Sequence, residues 1–193
     1  LVPWITLSNQ NMEVADMYFA FLRGRQYELI ALRELIAKKL LSKNITPIIE
    51  PVNLTATLLS TMEAFIKAKI PLAVIANPIV GAFYKDCNTV KPGSKEETQK
   101  DRFFELYKSN FIIKSVYVND TASSFIKQWK DAGIEANEIL VVLNNPNKLD
   151  LYIKLFPTST PKYILMPNEP SFKKKTSINR VLLCDRFSKQ SKN

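Results

Sequence analysis

The chain has 193 residues, with 27 Lys or Arg, 18 Asp or Glu, two cysteines and no histidine, which gives a formal net charge of +9. This length suits one domain with a substantial hydrophobic core. The lack of histidine excludes Ser-His-Asp triads, Cys-His dyads, His-ligated zinc and an imidazole general base. Any chemistry would therefore use carboxylates, Lys, Arg, Tyr, Asn or a cysteine.

The sequence carries no sign of a membrane or secretory segment. No stretch approaches the ~20 apolar residues of a membrane span, and residues 1–7 lack the length and the basic flank of a secretory signal. Cys87 and Cys184 are too few and too far apart for a disulfide framework. We therefore expect a cytoplasmic protein, with residues 1–16 as an N-terminal extension and residues 17–193 as a single α/β domain.

From residue 17 onward, short β-branched runs alternate with helical patterns, as they do in repeated βα units. We predict seven strands, at residues 17–22, 45–49, 71–76, 112–118, 139–143, 162–166 and 180–184. Helices are predicted at residues 25–42, from Thr55 onward, at 94–109, from Asp120 or Thr121 to Gly133, and at 146–156. The third strand carries no charge, which predicts that both of its faces are covered.

Local signals support these helices. One face of the first helix is predicted to be buried through Leu29, Leu32, Ile36 and Leu40. Thr55 is a good N-cap, Ser94 forms a capping box with Glu97, and Pro146 suits the first position of a helix. Residues 77–93 make a connection that is longer than usual, which is typical of binding segments and lids.

Seven strands with intervening helices fit two architectures. One is a TIM-barrel-like (β/α)₈ fold that is incomplete, and the alternative is a doubly wound open parallel sheet. The chain has only four glycines and contains neither the Gly-x-Gly-x-x-Gly turn nor the Walker phosphate loop. A nucleotide held by a glycine-rich loop is therefore not expected.

In both architectures the ligand lies beyond the carboxyl ends of the strands. All seven predicted strands end in polar side chains. As catalytic candidates we select Glu50 and Asp185, and as substrate-binding candidates Arg23, Arg25, Gln26, Asn77, Asn144 and Glu169.

Each candidate has a structural alternative. Glu50 and Asp185 follow apolar runs, where a carboxylate needs a cation or a donor, so each could act as an acid or base or simply pair with Arg23 or Arg25. The two arginines precede a helix N-terminus, an arrangement that favours a phosphate or a carboxylate. The asparagines could instead cap helices or form turns.

Glu50, Glu169 and Asp185 could also bind Mg²⁺, which prefers oxygen ligands and does not need histidine. From Phe172 onward the chain has seven Lys or Arg against one Asp, a net charge of +6. This basic end could contact nucleic acid or an acidic partner, or could simply be solvated. Cys184 is expected to pack within its strand, whereas Cys87 could be exposed in the long connection.

Three patches resemble a known family. Residues 17–35 (MYFAFLRGRQYELIALREL) and 45–52 (ITPIIEPV) resemble the opening of the beta-family proteins, a poorly characterised group from bacteria and phages, and residues 180–190 (RVLLCDRFSKQ) resemble a later motif of that group. The resemblance implies a barrel-like α/β fold with its site at Arg23, Arg25, Gln26, Glu50 and Asp185. It also implies that the family continues past the end of this chain, so that open sheet edges would invite self-association.

Two functions follow as hypotheses. The first is a TIM-barrel-like protein that binds or hydrolyses an anionic, phosphate-bearing substrate at the carboxyl rim of the strands. The alternative is a non-catalytic interaction module of a phage or defence system, whose basic end binds nucleic acid or a partner protein. We expect no membrane partner.

Overall fold

Seven strands form one parallel sheet in the computed structural model, which describes residues 17–88, 93–176 and 178–183. The strands are β1 Tyr18–Leu22, β2 Ile45–Ile49, β3 Leu72–Ile75, β4 Ile112–Tyr117, β5 Leu140–Val142, β6 Tyr163–Pro167 and β7 Arg180–Leu183. The spatial order of the strands equals their order in the chain, and the sheet curls into a nearly closed barrel. The incomplete TIM-barrel-like prediction is confirmed, and the doubly wound alternative is wrong because it requires a reversal of strand order.

Seven helices alternate with these strands in the described part of the chain. They are α1 Gln26–Ala37, α2 Ala56–Ala68, α3 Phe83–Asn88, α4 Lys95–Tyr107, α5 Ala122–Asp131, α6 Leu149–Leu155 and α7 Pro170–Lys175. Two predicted caps are confirmed, since Thr55 Oγ1 accepts from the N–H of Leu58 and Ser94 Oγ accepts from the N–H of Glu97, both at 3.2 Å. Pro146 begins a 3₁₀ turn that leads into α6.

Helix α1 is shorter than the hydrophobic pattern indicated. It ends at Ala37 instead of residue 42, because Lys39 adopts a positive φ of 55° and the N–H of Leu40 donates back to the carbonyl of Leu35. This is a common way for a helix to end. Leu40, predicted on the buried face, is therefore 66% exposed.

The connection after β3 is more structured than predicted, since it contains α3. The N–H groups of Ala82 and Phe83 both donate to the carbonyl of Val52, at 2.7 and 2.9 Å, and Asp86 Oδ2 accepts from the N–H of Leu54. These bonds tie the connection to the loop after β2. Cys87, which could have been exposed, is buried in α3.

The sheet separates two hydrophobic layers. The smaller layer fills the barrel and consists of Ile48, Ala73, Ile75, Ile113, Tyr117, Leu140, Val142 and Leu165. The larger layer packs the outer face of the sheet against the helices and includes Ile49, Val74 and Val116. All four residues of β3 are buried, as its uncharged sequence predicted.

Within the described residues, no strand pairs with the outer edge of β1 or of β7. Tyr18 on β1 is 65% exposed and Leu182 on β7 is 42% exposed. Phe19 reaches across the barrel interior to Tyr163, with ring centroids 4.7 Å apart. The interior is thus packed near the gap although the sheet does not close, and self-association through these edges stays a prediction.

The turn at Gly81 provides a test of the connection between β3 and α3. A Cβ at Gly81, which has a φ of +74°, would lie 2.2 Å from the carbonyl oxygen of Val52, whereas a Cβ at Gly133, with a φ of +80°, would meet nothing within 4 Å. We expect Gly133→Ala to cost about 1–2 kcal/mol of unfolding free energy from backbone strain alone. Gly81→Ala adds a backbone clash and should cost on the order of 3 kcal/mol or more. Urea unfolding measures both, and equal losses would contradict the contact.

Candidate functional site

The loops after the first three strands converge on one carboxylate. Glu50, directly after β2, has no exposed surface. Its Oε1 accepts the backbone N–H of Ile79, in the connection after β3, at 3.0 Å. Its Oε2 lies 3.4 Å from Nη1 of Arg23, which follows β1. The structure therefore brings predicted site residues Arg23 and Glu50 together at the carboxyl mouth of the barrel.

The two partners of this ion pair differ in burial. The side chain of Arg23 is 50% exposed, while that of Glu50 is 0% exposed. A buried carboxylate without a partner is strongly destabilising, so Arg23 has a structural role here. Because guanidinium carries five N–H donors, Arg23 also presents donors to the solvent-facing side of the mouth.

One oxygen of Glu50 has unused bonding capacity. Oε2 is buried near Arg23 and has no well-formed hydrogen bond among the described residues, although the carboxylate of Glu50 does interact with the phenol of Tyr117. Most buried polar side-chain atoms in proteins do have such a partner. This oxygen could therefore accept an O–H or N–H from a molecule bound at the mouth.

Tyr117, the last residue of β4, belongs to the same cluster. Its side chain lies in the inner layer and is 5% exposed. Burial raises the pKa of Tyr117 well above its usual value, and the nearby carboxylate of Glu50 adds to this rise through its charge and by accepting a hydrogen bond from the phenol. Tyr117 is therefore a neutral phenol that can donate a hydrogen bond. Sequence analysis missed it, because a tyrosine within an apolar strand is typical of core packing.

Asn77 connects the ends of β3 and β4. Its Nδ2 donates to the carbonyl of Tyr117 at 3.0 Å and to Oδ1 of Asn119 at 2.9 Å, and its Oδ1 accepts the N–H of Tyr117 at 2.8 Å. Asn77 is 4% exposed. Both of its polar atoms are engaged within the protein, in contacts between two strand ends and not in the local cap or turn that the structural alternative expected.

The start of α1 differs from a simple anion site. Arg25 and Gln26 are exposed there, as the predicted site requires. However, Oε2 of Glu28 accepts the backbone N–H of Arg25 at 3.0 Å. A carboxylate of the chain thus already occupies the position where the helix dipole favours an anion. Sequence analysis missed Glu28, although its place in the first turn of a helix was a usable signal.

The remaining candidates lie apart from these contacts. Asn144 follows β5 and Glu169 precedes α7, and both are exposed with no side-chain hydrogen bond or ion pair to the residues that the structure describes. Asp185 lies outside the described residues, as does Cys184. Within the described ranges, no three Asp, Glu or Cys residues form a group that could hold a metal ion. The predicted Mg²⁺ site includes Asp185, so it stays a prediction.

Cys87 is not an activated nucleophile. Burial raises its pKa to about 11, with a smaller opposing effect from Lys100. A thiol with such a pKa is protonated at neutral pH, and the thiolate is the reactive form.

The fold and the site define a class: an incomplete TIM-barrel-like α/β protein with a carboxylate, a phenol and a guanidinium at its carboxyl mouth. Comparison with known proteins adds no assignment, since the chain matches no family model and no curated protein. Among the described residues, no helix combines the length and the apolar character needed to cross a bilayer.

Tyr117 should affect stability at high pH. An unfolded tyrosine loses its proton near about pH 10, whereas the raised pKa of Tyr117 keeps the folded form protonated. The unfolding free energy should therefore fall as pH rises above about 10, by up to ~1.4 kcal/mol per pH unit for each such tyrosine. Tyr117→Phe should flatten this slope by that amount.

The measurement is chemical unfolding at several pH values between about 9 and 12, a range set by the tyrosine pKa. Tyr27→Phe, at a position that is 84% exposed, is the matched control. A slope for Tyr117→Phe equal to that of the parent chain would show that Tyr117 is not held in its neutral form.

Proposed function

We propose that this protein binds a small anionic molecule, with phosphate as its expected charged group, at the carboxyl mouth of the barrel. The observation that carries the proposal is the half-exposed guanidinium of Arg23 above the fully buried Glu50, whose Oε2 has no hydrogen bond to the described residues. One group can bind an anion and the other can accept a proton or a hydrogen bond. Together they form a polar centre at the end of the barrel where ligands of this fold class bind.

In this proposal Arg23 holds the anion. One of its nitrogens faces Glu50 and the others are available to the ligand, and paired N–H groups of arginine match the oxygens of phosphate. Arg25, exposed two residues later, supplies a second guanidinium. Glu28 limits what the amides of α1 can add, so the arginine side chains are the main contacts.

If the ligand is also hydrolysed, Glu50 acts as the base. Its Oε2 would accept a proton from water or from a substrate hydroxyl, while Tyr117, whose raised pKa makes it a weak acid, would donate a hydrogen bond to the ligand and keep its proton. Asp185 is the second carboxylate of the proposal. The resemblance to the beta-family proteins and the cytoplasmic setting remain part of this inference, although the family brings no established reaction.

Arg23→Gln tests the anion contact. With a panel of phosphorylated metabolites, each with and without Mg²⁺, we expect at least one compound to raise the melting temperature of the parent chain. Loss of a charged hydrogen-bond donor should weaken its binding by about tenfold or more, because such bonds contribute ~1.5–3 kcal/mol. Lys38→Gln, an exposed position at the far end of α1, is the control.

Because Arg23→Gln leaves Glu50 buried without its partner, that variant could unfold. The double variant Arg23→Gln/Glu50→Gln removes both charges and keeps the test valid. If no compound shifts the parent chain, or if the double variant binds as well as the parent, the mouth does not bind phosphate.

A second candidate, the interaction module, is favoured by a basic surface on α7. Lys173, Lys174 and Lys175 are all exposed, whereas Arg180 donates to the carbonyls of Lys173 and Thr176 and so has a structural role. The three lysines also lie in the last turn of α7, where their positive charges stabilise the negative end of the helix dipole. A solvated surface with this local role explains them equally well.

Binding of a labelled oligonucleotide separates these two roles of α7. For a nucleic-acid surface, log K should fall linearly with log salt concentration, and changing all three lysines to Gln should reduce the slope by about 2–3. The triple variant should keep the melting temperature of the parent chain. A parent chain that does not retain the oligonucleotide at low salt would exclude this function.

A further inference from the structure

A cavity lies on the opposite face of the sheet from the barrel interior, between the sheet and helices α3, α4 and α5. Its volume is about 500 Å³, within the range of small-molecule pockets. Its walls are largely aromatic, and they include Phe83, Phe103, Phe104, Tyr107, Phe125 and Trp129. The mouth site at Glu50 does not contribute to it.

The cavity also contains one buried cation. Lys114, on β4, lines the cavity and is only 7% exposed. Its ammonium donates to the carbonyl of Ser109 at 2.9 Å, lies 3.4 Å from that of Lys108, and is 6.0 Å from the centroid of the Tyr107 ring. These carbonyls lie at the C-cap of α4 and one residue beyond it, near the negative end of the helix dipole. These contacts hold the ammonium against one wall.

No carboxylate among the described residues lies within ion-pair distance of this ammonium. A buried charge without a counter-charge is costly. Consistent with that cost, burial lowers the pKa of Lys114, and the charge of Glu138 opposes this only in part. An ammonium has three N–H donors, so at least one remains for another acceptor.

We propose that this cavity binds a monocarboxylate with an apolar body, the aromatic walls contacting the body and Lys114 pairing with the carboxylate. One cation with two of its donors engaged suits a single negative charge better than a phosphate, which needs several donors. A wholly apolar ligand would leave the buried ammonium without a counter-charge. The site is thus distinct in position and in ligand chemistry from the mouth of the barrel.

The test is calorimetric titration of the full chain with four probes below their micelle concentrations: decanoate, 2-naphthoate and the matching neutral alcohols, 1-decanol and 2-naphthol. At least one carboxylate should bind about tenfold or more tightly than its alcohol. Lys114→Met keeps the length of the side chain and should abolish this preference. Lys108→Met, an exposed lysine at the edge of the same cavity, should retain it.

A second variant keeps the test valid if Lys114→Met does not fold. Gln128 lines the cavity and is exposed on α5, so Gln128→Trp should fill the entrance and weaken both carboxylates and alcohols. The proposal is overturned if neither carboxylate binds the parent chain, if Lys114→Met still prefers the carboxylate, or if Gln128→Trp leaves binding unchanged. If Lys114→Met loses stability but the parent chain shows no preference for the carboxylate, the role of Lys114 is only to stabilise the negative end of the α4 dipole.

Discussion

Glu50 carries a carboxylate into a position with no exposure to solvent, where a charge is tolerated only if other groups compensate it. Two separate loops supply that compensation, since the backbone N–H of Ile79 comes from the connection after β3 and the guanidinium of Arg23 from the turn after β1. The carboxylate therefore fixes the positions of its neighbours as much as they fix it. A change at Glu50 would affect the whole mouth of the barrel, and its effects on stability and on binding must be measured separately.

The alternation of side chains along parallel strands explains why these particular groups meet. Ile48 faces the barrel interior, and two residues later the next inward position is Glu50. Ile75 leads in the same way to Asn77, and Phe21 leads to Arg23. Each of these three strands thus contributes apolar residues to the inner layer and then one polar residue where the layer ends. The mouth is the polar end of the inner core.

Much of the fold could be predicted from the sequence because its strands are continuous apolar runs that a buried parallel sheet requires. The bounds of β2 were predicted without error, and β3 and β4 to within one residue at each end. Elements held by distant contacts could not be predicted. The six residues of α3 follow Pro78 and Gly81, which indicate a loop. The hydrogen bonds that hold this helix join it to the loop after β2, through the carbonyl of Val52 and the carboxylate of Asp86, and they form only in the tertiary structure.

The candidate site shows the same division. Arg23 and Glu50 were found from their place after a strand, a rule that depends only on topology. Tyr117 and Glu28 were missed, because their roles depend on their neighbours in space. The sequence around Tyr117 indicates a core residue, and only the structure places it beside Glu50. The sequence around Glu28 indicates a helix surface, and only the structure shows that it accepts the N–H of Arg25. The position of a residue along a strand can therefore be inferred from the local sequence, whereas its electrostatic role can be inferred only when its neighbours in space are known.

Glu50 and Lys114 can be compared because they are buried ionisable groups on opposite faces of one sheet. Glu50 faces the barrel and has an ion-pair partner, whereas Lys114 faces the helices and has only carbonyl groups and an aromatic ring. A leucine or methionine in either place would avoid the cost of burying a charge. The charge of Glu50 is stabilised by Arg23 and by the N–H of Ile79, and these contacts offset part of that cost within the protein. The charge of Lys114 has no counter-charge among the described residues. A bound ion of opposite charge would therefore stabilise Lys114 more than Glu50, which already has Arg23 as its partner.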